Sequence, residues 1–182
     1  MAKPLEPWKT LARRELFRLD PRIAVFLETV ELPDGRIVDD YCQVEMPVYS
    51  IVFAETVEGK FICERQYKHG IRRVTLTLPA GHVEPGEEPL AAAQRELMEE
   101  TGYRCSQWRQ VQSFRTHASQ GGATVHFFTA RGGVKMREID SDDLEETEIE
   151  LLTRQDVIDA MRQGEFCVLA DVALIALALM AE

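Results

Sequence analysis

One stretch of this chain restricts its folding options more than any other. It runs from Gly81 through Glu87 to Arg95-Glu96-Leu97-Met98-Glu99-Glu100-Thr101-Gly102-Tyr103. Between Pro89 and Glu100 there is no internal glycine or proline, and Ala, Leu, Met, Gln and Glu dominate, all good helix formers. The composition predicts a helix over 89–100, stopped at Gly102, where a residue tolerant of positive φ is wanted. Helical positions i, i+3 and i+4 share a face, so Glu96, Glu99 and Glu100 project together. Like charges at that spacing repel and weaken a bare helix. A solvated acidic face would leave that cost uncompensated, whereas a hard divalent cation such as Mg2+ requires such a cluster of carboxylate oxygens.

The flanks favour the cation. Leu78-Pro79-Ala80-Gly81-His82-Val83-Glu84-Pro85-Gly86-Glu87 ends a strand with a loop rich in glycine and proline, whose backbone can turn tightly and approach a ligand. Arg95 lies four residues before Glu99 and can tie down a carboxylate. A formal net charge of -10 would repel a polyanionic substrate unless cations screened it.

The rest of the chain is bounded by simpler signals. A length of 182 residues with 45% hydrophobic content is one domain's worth of core. Cys42, Cys63, Cys105 and Cys167 are widely spaced with no Cys-x-x-Cys pair, the usage of free thiols in a cytoplasmic protein. The first seven residues lack the apolar core of a signal peptide, and no basic tract points to nucleic acid. The apolar run 166–181 is shorter than a membrane span and holds Asp171, so it reads as a buried core helix with no membrane role. Strands are expected at 23–30 and 36–44 around Pro33-Asp34-Gly35, at 48–55 and 60–67 around Glu58-Gly59, and at 74–78, 107–114 and 124–130. Helices are expected at 154–162 and 167–180.

Residues 81–103 resemble the Nudix box. Every position the family signature specifies is matched, with Tyr103 an aromatic where an aliphatic is usual. The resemblance implies an α/β fold, the Nudix α/β/α sandwich with a mixed central sheet. It also implies an N-terminal antiparallel strand extension over 1–45 ahead of a catalytic domain over 46–182. The implied chemistry is divalent-metal-dependent hydrolysis of a nucleoside diphosphate linked to another moiety, with Mg2+ or Mn2+ as cofactor. Glu96, Glu99 and Glu100 are the implied metal ligands with the Ala80 carbonyl beside them. Glu99 and Glu100 are implied in catalysis, with Arg95 and Glu87 orienting the cluster.

The order of Pro33-Asp34-Gly35, Arg65-Gln66-Tyr67-Lys68 and Leu78-Pro79-Ala80-Gly81 is similar to ADP-ribose pyrophosphatases and related nucleoside diphosphate sugar hydrolases. In that group the N-terminal strands exchange across a two-fold axis, which implies a homodimer here. A further glutamate in a mobile acidic loop positions or deprotonates the water in such enzymes, and Glu145, then Glu146, are the candidates within 140–148. Arg65 and Gln66 are the candidate substrate contacts, a guanidinium being suited to bidentate phosphate binding, with Arg115 a weaker one. His117 and His126 read as structural, and Phe26, Tyr41 and Tyr67 cannot be sorted between base stacking and core. One departure stands out: Ser119-Gln120-Gly121 replaces the Ser-Pro-Gly common in ADP-ribose hydrolases. It keeps GDP-mannose, dinucleoside polyphosphates and FAD open as substrates. A non-catalytic nucleotide sensor is the third reading, although sensors of this kind often lose box carboxylates and this chain keeps them.

Overall fold

The computed structural model describes residues 5–139 and 147–181. The chain divides into two compact units, residues up to 47 with 115–124, and 48–114 with 125–182. In the first unit, β1 (Lys9–Leu19), β2 (Ile23–Glu31) and β3 (Ile37–Glu45) pair antiparallel in that order. Ala24, Phe26 and Val30 of β2 are buried, as the two-residue repeat of a strand covered on one face requires. Segment 115–124 docks on β3, where Tyr41 Oη and Gln43 Nε2 both donate to the Ser119 carbonyl at 2.9 Å and Val44 N donates to that of Gln120 at 2.7 Å.

Strand β1 has no counterpart among the expected elements. Ala12-Arg13-Arg14-Glu15 carries helix-forming residues, and all eleven positions of the strand are exposed, so no buried face marks it in sequence. Charge and stacking hold it instead. Lys9 pairs with Glu31, Arg13 with Glu28 and Glu45, and the Arg13 guanidinium lies 3.7 Å from the centroid of the Phe26 ring.

The second unit contains β4 (Tyr49–Thr56), β5 (Phe61–Lys68), β6 (Arg73–Thr77), β7 (Ala80–His82), α1 (Pro89–Thr101), β8 (Tyr103–Arg104) and most of β9 (Gln107–His117) and β10 (Gly121–Lys135). It closes with β11 (Thr147–Leu152), α2 (Arg154–Gln163) and α3 (Leu169–Met180). β4 runs parallel to β10 and antiparallel to β5 and β7, while β5 takes β6 on one edge and β11 on the other. Alternate residues feed two cores. Ile51, Phe53, Phe61 and Cys63 pack with Val157, Leu174 and Ile175 of α2 and α3. Val52, Ala54 and Ile62 pack with Ala93 and Leu97 of α1. This is the mixed sheet between helices that the sequence predicts.

Boundaries move where local signals mislead. Strand β10 continues to Lys135 because Gly132-Gly133 forms a bulge in its pairing with β4 rather than a stop. Helix α2 starts on Thr153, whose hydroxyl accepts from Asp156 N while the Asp156 carboxylate accepts from Thr153 N, a reciprocal cap.

The expected stop at Gly102 is present. Its φ is +75°, its amide donates to the Met98 carbonyl, and an added Cβ would overlap the Arg137 carbonyl. Gly102→Ala combines left-handed strain with that clash, so it should destabilise the fold by about 1–3 kcal/mol, measured as a fall in the urea unfolding midpoint.

Candidate active site

Helix α1 is anchored before it is charged. Pro89 occupies its first turn, the Ser50 hydroxyl donates to the Pro89 carbonyl at 2.7 Å, and Ala92, Ala93, Leu97 and Thr101 bury one face. The opposite side carries the acids. Arg95 gathers three of them: Nε and Nη2 form a fork on Glu87 at 3.1 and 3.0 Å, and Nη1 reaches Glu96 at 2.8 Å and Glu99 at 3.2 Å. Nη2 also donates to the His82 carbonyl at 3.0 Å, tying helix to loop. These bonds raise the Arg95 pKa, chiefly through Glu87. The same fork, helped by the Glu84 amide, holds the Glu87 carboxyl below its usual range.

Glu100 takes a different partner. The Ala80 amide donates to its Oε2 at 2.9 Å, fixing the carboxylate against the turn that leads into β7. Gly81 follows, and here the glycine answers to proximity: a Cβ would occupy the space of the Glu96 carboxyl group. Backbone and acid therefore meet at contact distance: the Ala80–Gly81 turn lies beside Glu96 and Glu100, and Arg95 joins Glu99 to Glu96.

Among the described residues no three His, Cys, Asp or Glu side chains are gathered closely enough to hold a metal ion by themselves. Mg2+ does not ask for a closed protein cage. It keeps several waters and is held by one or two carboxylates plus substrate phosphates. Hard oxygens on adjacent helical turns, beside a carbonyl and a glycine cradle, fit that requirement.

Strand alternation sorts the other candidates. Ile62 points toward α1 and Cys63 toward α3, so Glu64 and Gln66 share the α1 face while Arg65 takes the other. Arg65 bonds Glu150 through Nε and Glu165 through Nη1 at 2.9 Å, and these bonds raise its pKa. Gln66 is buried, its Nε2 donating to Glu64 at 3.0 Å and Thr77 at 2.7 Å. Arg65 is thus not brought to the acidic helix face, whereas Gln66 underlies the strand that precedes Ala80. Glu145 and Glu146 lie outside the described residues.

Arg115 donates to the Gly122 carbonyl at 3.5 Å within the first unit. His117 pairs with Thr116 and His126 with Ser113, and burial lowers the His126 pKa. Tyr67 is exposed and its hydroxyl meets His69. Glu64 was not among the sequence candidates, although a carboxylate following Phe61-Ile62-Cys63 in a strand bounded by buried residues is a signal in itself.

Because the folded pKa of Glu87 lies below its ordinary 4.5, the stability it contributes is complete above that value and is lost as pH falls through the folded pKa. Parent protein should therefore lose more stability than Glu87→Gln on acidification below pH 4.5, in urea melts run at neutral and acidic pH.

Three comparisons bear on this arrangement. The family model described as NUDIX domain matches residues 45–172. The chain is 33% identical over 160 residues to an ADP-ribose pyrophosphatase of Bacillus subtilis, covering 86% of this chain and 84% of that protein. It is also 33% identical over 124 residues to a methanol dehydrogenase activator of Bacillus methanolicus, covering 68% and 66% respectively. In structure it is similar to the crystal structure of an ADP compounds hydrolase, with a TM-score of 0.83, 18% identity, and coverage of 98% of this chain and 96% of that one. This last likeness shows the fold.

Proposed function

We propose a substrate for a chain that belongs to the NUDIX family and is a Nudix pyrophosphohydrolase: it hydrolyses the pyrophosphate of ADP-ribose or a closely related nucleoside diphosphate sugar, with water as co-substrate, giving a nucleoside monophosphate and a sugar phosphate. The observation that carries this reading is the convergence at the Ala80–Gly81 turn, where Glu100 accepts from the Ala80 amide and the Glu96 carboxylate fills the space a Gly81 side chain would need. Likeness over most of both chains to an ADP-ribose pyrophosphatase supports the substrate class.

Nudix hydrolases generally use divalent ions. Here Glu96, Glu99, Glu100 and the Ala80 carbonyl would hold Mg2+ or Mn2+, which supplies charge neutralisation on the phosphate oxygens and activation of water. The remaining work belongs to the chain. Arg95 keeps the carboxylates from splaying apart, and its fork on Glu87 leaves its own position fixed. Glu145, or Glu146 in its place, orients or deprotonates the attacking water.

The assembly proposed for this enzyme is a homodimer through the N-terminal unit. Every residue of β1 is exposed, Leu11, Leu16, Phe17 and Leu19 among them, and Trp8 just before it is exposed as well. An apolar edge strand left open in this way invites pairing or cover. Four free cysteines, two of them buried, suit the reducing cytoplasm. Among the described residues no helix is long and apolar enough to cross a membrane.

Two experiments test this section. The first is phosphatase-coupled release of phosphate from ADP-ribose, GDP-mannose, UDP-glucose, diadenosine polyphosphates and FAD, with Mg2+ and with EDTA. ADP-ribose should be the preferred substrate in Mg2+ and inert in EDTA, and Glu100→Gln should remove turnover while the circular dichroism spectrum is retained. Preference for another member of the panel would move the specificity, and parent-like turnover by Glu100→Gln would overturn the site. The second is light scattering of the parent, expected at twice the chain mass, with Phe17→Glu expected to shift it to the monomer.

A further inference from the structure

Helix α1 begins without a cap of its own. Its N-cap residue Glu88 makes no side-chain bond, and the first turn, opened by Pro89, holds no acidic residue. The tether comes from the sheet instead. Ser50 of β4 is fully buried and by strand alternation shares the α1 face with Val52 and Ala54, where a hydroxyl is costly unless it is bonded. Its Oγ donates to the Pro89 carbonyl at 2.7 Å, on an oxygen whose second lone pair is left for the helix itself.

The backbone of the same serine lies opposite the site. In the antiparallel pairing of β4 with β7, Ser50 faces Gly81, with Tyr49 against His82 and Ile51 against Ala80. The pairing is continued at its two ends by the Val52 amide on the Pro79 carbonyl at 3.0 Å and the Val83 amide on the Val48 carbonyl at 2.9 Å. Gly81 in turn meets the Glu96 carboxyl group, and the Ala80 amide meets Glu100 at 2.9 Å. These contacts close a circuit: Ser50 to Gly81 through the sheet, Gly81 to Glu96, Glu96 back along α1 to Pro89, and Pro89 to Ser50. Glu96 is seven residues, about 10 Å, along the helix from Pro89. A slip of α1 by one residue would move every acid by about 1.5 Å, enough to part Glu100 from the Ala80 amide.

We propose that Ser50 is a positioning residue for the acidic site: it fixes how far α1 sits along β4 and thereby sets where Glu96 and Glu100 meet the Ala80–Gly81 turn. The inference rests on the functional reading above, in which those two carboxylates hold the metal ion. It assigns a residue of the central sheet, outside the Nudix box, a role in the geometry of that box.

The test compares the parent, Ser50→Ala and Thr75→Val by amide hydrogen exchange in metal-free protein and by Mn2+ binding followed through the electron paramagnetic resonance of free Mn2+. Thr75 is the control. It is as buried as Ser50 and its hydroxyl donates to the Glu165 carbonyl at the same 2.7 Å, but it ties β6 to the connection between α2 and α3. Ser50→Ala should speed exchange at Ala80 relative to that at Leu174 in the α3 core. It should also weaken Mn2+ binding by about tenfold to a hundredfold, the range expected when a support behind a metal ligand is lost. Thr75→Val should leave both readouts as in the parent, whatever it does to the urea midpoint. Parent-like values of either readout in Ser50→Ala overturn the proposal, as does an equal loss in Thr75→Val. Should Ser50→Ala not fold, Ser50→Cys, with a weaker donor in place of the hydroxyl, is measured under the same expectations. Failure of the parent itself to bind Mn2+ would sink the metal reading, and exchange at Ala80 would then alone decide whether Ser50 positions the turn.

Discussion

The fork between Arg95 and Glu87 is the interaction on which the rest of the site depends. Three glutamates within two turns of α1 would repel one another and loosen the helix end that has to be most exact. One guanidinium meets that problem for two of them, Glu96 and Glu99, while its fork on Glu87 holds it in place, and its fifth contact, to the His82 carbonyl, couples the helix to the loop that bears Gly81. A lysine could not do this, because a single ammonium cannot present a planar fork to one carboxylate while also serving two others. The charge cluster is thereby preorganised without being neutralised. Glu99 remains the most exposed of its carboxylates, and Glu100 is left to the Ala80 amide.

Behind that fork, the central sheet controls which side chains can take part. β4 and β5 pair only near Glu55 and Phe61, then separate to admit β6 and β7 between them. The wedge carries the Thr77–Gly81 backbone into the middle of the unit, between a core made with α1 and one made with α2 and α3. Its contacts include Gln66 on Thr77, Val52 N on the Pro79 carbonyl and Glu100 on the Ala80 amide. A turn held at several points has few alternative paths, and positional precision of this kind is what orienting a substrate requires.

Much of this was legible in the sequence, and the exceptions have physical causes. Helix α1, its stop at Gly102 and the hairpin around Asp34-Gly35 all follow from spacing and turn chemistry, which act over a few residues. β1 was not legible, because a strand with eleven exposed positions has no buried face to imprint a two-residue period. Arg65 is the instructive case. Its residue type and place before Gln66 suggested a phosphate contact, yet register with β11 sets it opposite Glu148, and it bonds Glu150 and Glu165, residues 85 and 100 positions away in the chain. Partners at that separation are decided by topology, and no local pattern announces them.

The fate of the arginines bears on the proposed need for a cation. In a chain of formal net charge -10, Arg95 and Arg65 of the second unit are each already bonded to two or more carboxylates. To release either one would strand acids that burial has partly desolvated, a cost that exceeds the gain from a solvent-exposed phosphate contact. These two arginines are thus committed to holding glutamates in place, which on the proposed mechanism leaves the neutralisation of phosphate oxygens to ions drawn from solution. On this reasoning the proposed metal dependence follows from how the acids are held: the more firmly arginine fixes the carboxylates, the less arginine remains for the substrate, and the more the proposed reaction would rely on a divalent ion that those same carboxylates attract.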